Sequence, residues 1–155
     1  MIRNASRSDF AAITALESQI YAIHLHAHPD LIKPQFDEGL FHEYLEECLD
    51  DDNGSIFVFE ENGEILGYCI TRKRKYRNHR LFFDMLSLEL DDICVDEKAR
   101  GRQIGTQLFE AAKAYAAEIG ASHLELTVWE FNKNARRFFE RQEMTPRLTR
   151  MELDI

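Results

Sequence analysis

The residues best suited to do chemistry in this 155-residue chain lie in one run: Val95-Asp96-Glu97-Lys98-Ala99-Arg100-Gly101-Arg102-Gln103-Ile104-Gly105-Thr106. An alternating segment from Leu86 to Val95 precedes it. Apolar residues at helical spacing, from Ile104 to Ile119, begin inside it. A strand therefore feeds a glycine- and arginine-bearing turn that opens a helix. The first amides of a helix have no partner within it, and the helix dipole favours an anion there. Gly101 can take the positive φ of a sharp turn. Gly105, lacking Cβ, lets a ligand or the facing strand approach the first helical turn. Arg100 and Arg102 add charge and forked donors. The run reads as a phosphate or pyrophosphate site; a tight turn that binds nothing is the plain alternative.

Carboxylates crowd the strand before this turn. Alternation puts Glu89 and Asp91 on one face and Asp92 on the other. A carboxylate can take a proton from an ammonium, directly or through a water. A cluster of them also attracts a cationic amine, and solvated strand carboxylates are the plain alternative. Helical spacing brings His24 and His28 to one face, but no third ligand accompanies them, so no metal is expected. Trp129 and Phe131 read as core, with the wall of an acceptor pocket as the alternative.

Composition narrows the partners. The net charge of -9 disfavours nucleic acid, whose phosphates require a basic face. The basic run Arg72-Lys73-Arg74-Lys75-Tyr76-Arg77-Asn78-His79-Arg80 reads as a solvated hairpin tip. No apolar run approaches the roughly 20 residues that cross a bilayer, so no membrane partner is expected, and Met1 to Ala5 lack a signal-peptide character. Cys48, Cys69 and Cys94 are odd in number and sit in apolar patterns. They read as reduced core residues, which points to the cytoplasm.

The elements that must position these groups follow from periodicity. Ile2 to Ser6 is a short strand. Ser8-Asp9 caps a helix bearing Phe10, Ile13, Leu16, Ile20 and Ile23. Phe36 to Leu49 is a second helix. Strands from Ser55 to Phe59 and Ile65 to Thr71 flank the hairpin signal Asn62-Gly63. Phe82 to Val95 is a long third strand of the meander. After the helix from Ile104, ended by Gly120, come a strand to Val128, a helix over Lys133 to Arg141 and a strand near Leu148 to Leu153.

Two motifs make the chain resemble the GNAT superfamily of N-acetyltransferases. The acyl-CoA pyrophosphate loop of that superfamily runs Arg/Gln-x-x-Gly-x-Gly/Ala. Here it reads Arg100-Gly101-Arg102-Gln103-Ile104-Gly105, with Gln103 in place of the first patterned glycine. Downstream, Asn-x-x-Ala-x-x-Phe-Tyr-x-x-x-Gly-Phe is matched by Asn132, Ala135 and Phe138. Phe139 stands at the tyrosine, and Glu143-Met144 at Gly-Phe. The resemblance implies one N-acetyltransferase domain over residues 1–155 and an α/β fold, a mixed, mostly antiparallel sheet with splayed central strands, ordered β-α-α-β-β-β-α-β-α-β. It implies acetyl-CoA as cosubstrate and no metal.

The resemblance also implies roles. The backbone of Ile93, Cys94 and Val95 would lie beside the pantetheine amides. Arg100, Gly101, Arg102, Gln103, Ile104, Gly105 and Thr106 would hold the pyrophosphate, and Asn132 the cofactor arm. Phe139 would sit near the sulfur, unable to give it a proton. Glu89 and Asp91 are the candidate bases. The expected activity is direct acetyl transfer, in a ternary complex, to a primary amine of a small molecule or protein. A non-catalytic acyl-CoA-binding or regulatory module is the alternative that Gln103 and Phe139 suggest. A lone terminal strand would leave an open edge, so a homodimer is expected.

Overall fold

Alternation and turn chemistry first build a meander, described in a computed structural model that covers residues 1–50 and 52–155. Strands β1 (Ile2–Asn4), β2 (Gly54–Glu61), β3 (Glu64–Tyr76) and β4 (Met85–Val95) pair antiparallel in that order. The β2–β3 turn is Asn62-Gly63, and both residues take positive φ, 53° and 79°. That left-handed pair matches the twist of the flanking strands. Strand β5 (His123–Glu125) adds to the outer edge of β4 in parallel.

Among the described residues four α-helices cover the sheet: α1 (Phe10–Ala27), α2 (Glu38–Cys48), α3 (Ile104–Glu118) and α4 (Lys133–Arg141). The start of α1 is tied down by Asp9, which accepts two bonds from the Arg3 guanidinium and one from the Ser6 amide, all at 2.8 Å. Asp37 caps α2, accepting from the Leu40 amide at 3.0 Å. On one face of the sheet Ile13, Leu16, Leu45 and Cys48 bury against Ile56, Val58, Tyr68 and Ile70. On the other, Ile104, Leu108, Phe109 and Phe139 bury against Leu66, Cys69 and Leu90. The three cysteines are buried and free. Among the described residues no helix is long and apolar enough to cross a membrane.

The mixed, mostly antiparallel sheet agrees with the sequence reading, with two corrections. The strand expected from Leu148 to Leu153 does not form, and Leu148, Met151 and Leu153 face solvent. A strand needs an edge to pair with, and β5 offers a ladder of three residues. The tail touches that strand through an ion pair, Arg147 to Glu125 at 3.7 Å.

The second correction concerns the carboxylates. The β3–β4 register slips at one point: Ile70 pairs with Asp92 and Thr71 with Leu90, leaving Asp91 as an extra residue. This is a β-bulge. It cancels one step of the alternation. Asp92 therefore lies on the α1/α2 face with Ile70, not opposite Glu89 and Asp91 as strict alternation requires.

Candidate active site

The β4–β5 ladder is short. It runs from Ser87–His123 to Glu89–Glu125 and stops. Beyond it, β4 continues to Val95 with no strand on that side among the described residues. The chain after β5 has left the sheet, so the backbone of Asp91, Ile93 and Val95 forms an open strand edge on that side. The Val95 carbonyl accepts from Arg100 Nε at 3.3 Å.

The turn after β4 is shaped by its own residues. Asp96 donates its amide to the Leu66 carbonyl at 2.9 Å and accepts from the Lys98 amide at 2.8 Å. A 3-10 turn over Glu97–Ala99 follows, anchored by the buried Ala99. Gly101 has φ 79°. Gln103, the N-cap of α3, has φ 60° and ψ 15° and makes no side-chain cap. The first backbone bond across the turn runs from the Gln107 amide to the Gln103 carbonyl, 3.1 Å. The amides of Ile104, Gly105 and Thr106 are thus left to an outside acceptor. Two left-handed residues flanking Arg102 give the concave backbone that cradles anions. A glutamine held left-handed costs of order 1 kcal/mol, so the turn keeps its shape against a local penalty.

The arginines here have carboxylate neighbours. Arg102 grips Glu61 of β2 at 2.7 and 2.8 Å, and Arg100 stands 3.8 Å from Glu97. Both sit at the rim, half exposed. Phe138 closes the inner wall: a β-carbon on Gly105 would meet its ring at 3.4 Å and Val95 Cγ2 at 3.7 Å. Asn132 caps α4, accepting from the Ala135 amide at 3.0 Å. Phe139 is buried beside Phe109 and Phe138, with centroids at 6.4 and 5.1 Å.

Polar groups gather on the α1/α2 side of the same stretch of β4. Arg74 donates to Glu89. Tyr44 of α2 donates to Asp91, while the Arg72 guanidinium lies 5.6 Å from the Tyr44 ring centroid. Burial, then the Asp91 contact, drives the Tyr44 phenol well above its ordinary range. Tyr68 of β3 is fully buried. Its Oη lies 2.5 Å from Glu17 Oε2 and 2.7 Å from Asp92 Oδ2. Burial and then the Asp92 charge push the Glu17 carboxyl up to about 9. Cys94, bonded to the Leu16 carbonyl, is pushed up to about 12 chiefly by burial.

Sequence reasoning missed Glu17, and it offered Tyr68 only as one of three tyrosines, with Tyr21 and Tyr44, that could replace the donor absent at Phe139. One signal was present: Glu17 and His24 interrupt the apolar stripe of α1, four residues after Ile13 and four after Ile20. Trp129 and Phe131 are not core as expected, and Trp129 is 40% exposed. They pack instead on the imidazoles at the end of α1, with His28–Trp129 tilted at 5.0 Å and His24–Phe131 edge-on at 5.6 Å. This aromatic group bridges α1 to the segment after β5. Burial lowers the pKa of His24 while the nearby Asp92 opposes it. No His, Cys, Asp and Glu cluster able to hold a metal occurs among the described residues.

Comparison with known proteins fits this geometry. The family described as "Acetyltransferase (GNAT) family" matches residues 17–144. An uncharacterized N-acetyltransferase, YhfO of Bacillus subtilis, is 31% identical over 147 residues, covering 90% of this chain and 85% of its own. One from Lactobacillus delbrueckii subsp. lactis is 31% identical over 112 residues, covering 66% of this chain; the match spans 64% of that relative's length. The crystal structure of a BH1408 variant from Bacillus halodurans superposes with TM-score 0.93 at 25% identity, covering 100% of this chain and 99% of its own. An aminoglycoside N-acetyltransferase in complex with CoA shares the fold at TM-score 0.77 and 16% identity, covering 100% of this chain and 95% of its own.

Proposed function

The chain belongs to the GNAT family of acetyltransferases, and from that premise we propose that it transfers an acetyl group from acetyl-CoA to a primary amine. The observation that carries the reading is the start of α3. Three uncapped amides and two left-handed residues follow the end of β4, beyond the point where its ladder with β5 stops. A pyrophosphate fits such a cradle.

Each residue has a proposed part. The amides from Gly101 to Thr106 hold the pyrophosphate, with Gln103 and Ile104 shaping the turn and Arg100 and Arg102 at its rim. The β4 backbone at Ile93, Cys94 and Val95, paired with β3 on one side and with no strand on the other among the described residues, lies beside the pantetheine amides. Asn132 fixes the start of α4 beside that arm, and Phe138 and Phe139 form its apolar wall. The thioester supplies an electrophilic carbonyl and a sulfur leaving group. A thiol with pKa about 8.5 leaves tolerably as thiolate, so the missing hydroxyl at Phe139 does not forbid the reaction. Carboxylates of β4, Glu89 and Asp91 among the candidates, draw the acceptor ammonium, and one carboxylate of this strand takes its proton.

Direct transfer in a ternary complex suits this arrangement, because no cysteine is free and exposed to carry an acyl group. The acceptor is a small-molecule or protein amine, and the carboxylates favour a cationic one. The domain is taken to span residues 1–155, in the reducing cytoplasm that three free cysteines suit. A homodimer is proposed from the solvent-facing tail 145–155 and the open edge of β5; light scattering at micromolar concentration checks it. Gln103 and Phe139 support one rival, a module that binds acyl-CoA without turnover. A screen of an amine library for released CoA separates the two. CoA release with at least one amine is expected, and tight acetyl-CoA binding with no release across the library would favour the rival.

A further inference from the structure

Two carboxyl groups lie within hydrogen-bond distance of one phenol. Tyr68 Oη is 2.5 Å from Glu17 Oε2 and 2.7 Å from Asp92 Oδ2. A phenol has one hydrogen and can donate it once. If both carboxyls were ionised, one oxygen would face the phenol oxygen with no proton between them. Two like charges would also share a largely buried site. A second proton resolves both problems. Protonated Glu17 donates to Tyr68 Oη, and Tyr68 donates onward to ionised Asp92. Burial and the Asp92 charge act on Glu17 in the same sense.

We propose that Glu17 and Asp92 work as one group bridged by Tyr68: together they hold one proton, Asp92 receives the proton of the acceptor ammonium, and Glu17 is the residue that positions and polarises it. This rests on the acetyl-transfer reading and deepens it. The three residues come from α1, β3 and β4, and meet where β4 has lost its β5 partner. Asp92 sits one residue past the bulge, facing α1. Of the other β4 carboxylates, Glu89 is neutralised by Arg74 and Asp91 is held by Tyr44. Asp92 is joined instead to a chain of protons running back to Glu17. The N–H bond of the ammonium breaks and an O–H bond forms on Asp92. The electron pair stays on nitrogen and attacks the thioester carbonyl; a C–N bond forms, the C–S bond breaks, and sulfur leaves with its electrons.

The titratable groups around Glu17 are Tyr68 from β3, Asp92 and Cys94 from β4, and His24 on α1 itself, with His28 beside His24. None supplies a fixed positive charge that would ionise Glu17 at neutral pH.

Two measurements test the proposal. The first needs no acceptor. Difference infrared spectra across a pH titration should show a carboxylic-acid carbonyl band in the wild type at pH 7, fading as pH passes about 9 and missing in Glu17→Gln. Absence of the band, or its persistence in Glu17→Gln, overturns the shared proton. The second uses an amine that releases CoA. Glutamine can donate an N–H to Tyr68 as a protonated glutamate does. Glu17→Gln should therefore keep kcat within about threefold, whereas Glu17→Ala should lose about tenfold or more with the KM for acetyl-CoA unchanged. Asp92→Asn should lose on the order of 10²–10⁴-fold. Equal losses in Glu17→Gln and Glu17→Ala would mean that Glu17 acts as a carboxylate, which overturns its assignment; full activity in Asp92→Asn overturns that of Asp92. A wild type that releases CoA with no amine sinks the acetyl-transfer reading and the role of Asp92 with it, while the infrared band still decides the shared proton.

Discussion

Phe138 lies against Gly105, its ring 3.4 Å from the point a β-carbon there would occupy. That distance is ordinary contact, so Gly105→Ala should fold well and bind acetyl-CoA nearly as the wild type does. Valine adds two branched methyls. Phe138 and Val95 lie within 4 Å of the β-carbon position, so the added methyls must displace one of them or project toward the space proposed for the cofactor. Gly105→Val should keep the fold and weaken acetyl-CoA binding at least about tenfold, or about 1.4 kcal/mol. Isothermal titration with the two variants side by side checks this. An unchanged affinity for Gly105→Val would mean that the start of α3 does not meet the cofactor.

Gln103 holds a conformation that glycine adopts at no steric cost. Gln103→Gly should raise stability by about 1 kcal/mol, or roughly 2–4 °C in Tm for a chain of this size. Acetyl-CoA affinity should be retained. Gln103→Val should fall below the wild type, since a β-branched residue is worse there. Calorimetric melting of the three proteins tests the ranking. A destabilised Gln103→Gly would show that the glutamine side chain earns its place.

The Glu17 carboxyl predicts a pH dependence with a definite sign. Its pKa is raised in the folded state from 4.5 to about 9. Between those values the folded chain binds more protons than the unfolded one, so this group's contribution falls as pH rises. It is fully present below about pH 4.5 and lost on passing pH 9. Glu17→Gln cannot ionise. The Tm of Glu17→Gln minus that of the wild type should therefore climb between pH 5 and pH 9, by several degrees. A flat difference across that range would contradict the buried, protonated carboxyl.

Phe139 is packed between Phe109 and the α4 neighbour Phe138. Phe139→Ala should cost about 3–5 kcal/mol as a buried ring is lost and should weaken acetyl-CoA binding. Phe139→Tyr keeps the ring. If its edge reaches the space proposed for the cofactor, the added hydroxyl finds water or sulfur, Tm holds, and turnover is preserved or increased. Denaturant melts together with steady-state kinetics read both effects. A Phe139→Tyr variant that loses more than about 2 kcal/mol would show a hydroxyl buried without a partner, and place the ring away from the thioester.

The strand, turn and helix around Val95 to Thr106 were legible because each is written locally. Alternation, two glycines and a 3.6-residue stripe follow one another in the single stretch from Leu86 to Ile119. The Asn62-Gly63 hairpin and the Asn132 cap were legible for the same reason. The Glu17–Tyr68–Asp92 group was not, since its members stand 51 and 24 residues apart and meet through packing of α1 on the sheet. The terminal strand failed for a different cause. Its sequence alternates well enough, but strand formation depends on an edge elsewhere, and β5 is too short to provide one.

The extra residue at Asp91 also alters how substitutions along β4 will be tolerated. Up to the bulge the even-numbered positions Leu86, Leu88 and Leu90 look toward α3; after it the odd-numbered Ile93 and Val95 do. A saturation scan of this strand should show a two-residue rhythm that skips a beat at 91. Deleting Asp91 would restore a regular ladder and leave every later side chain on its present face, while deleting any other single residue of β4 would move the side chains on one side of the cut to the opposite face.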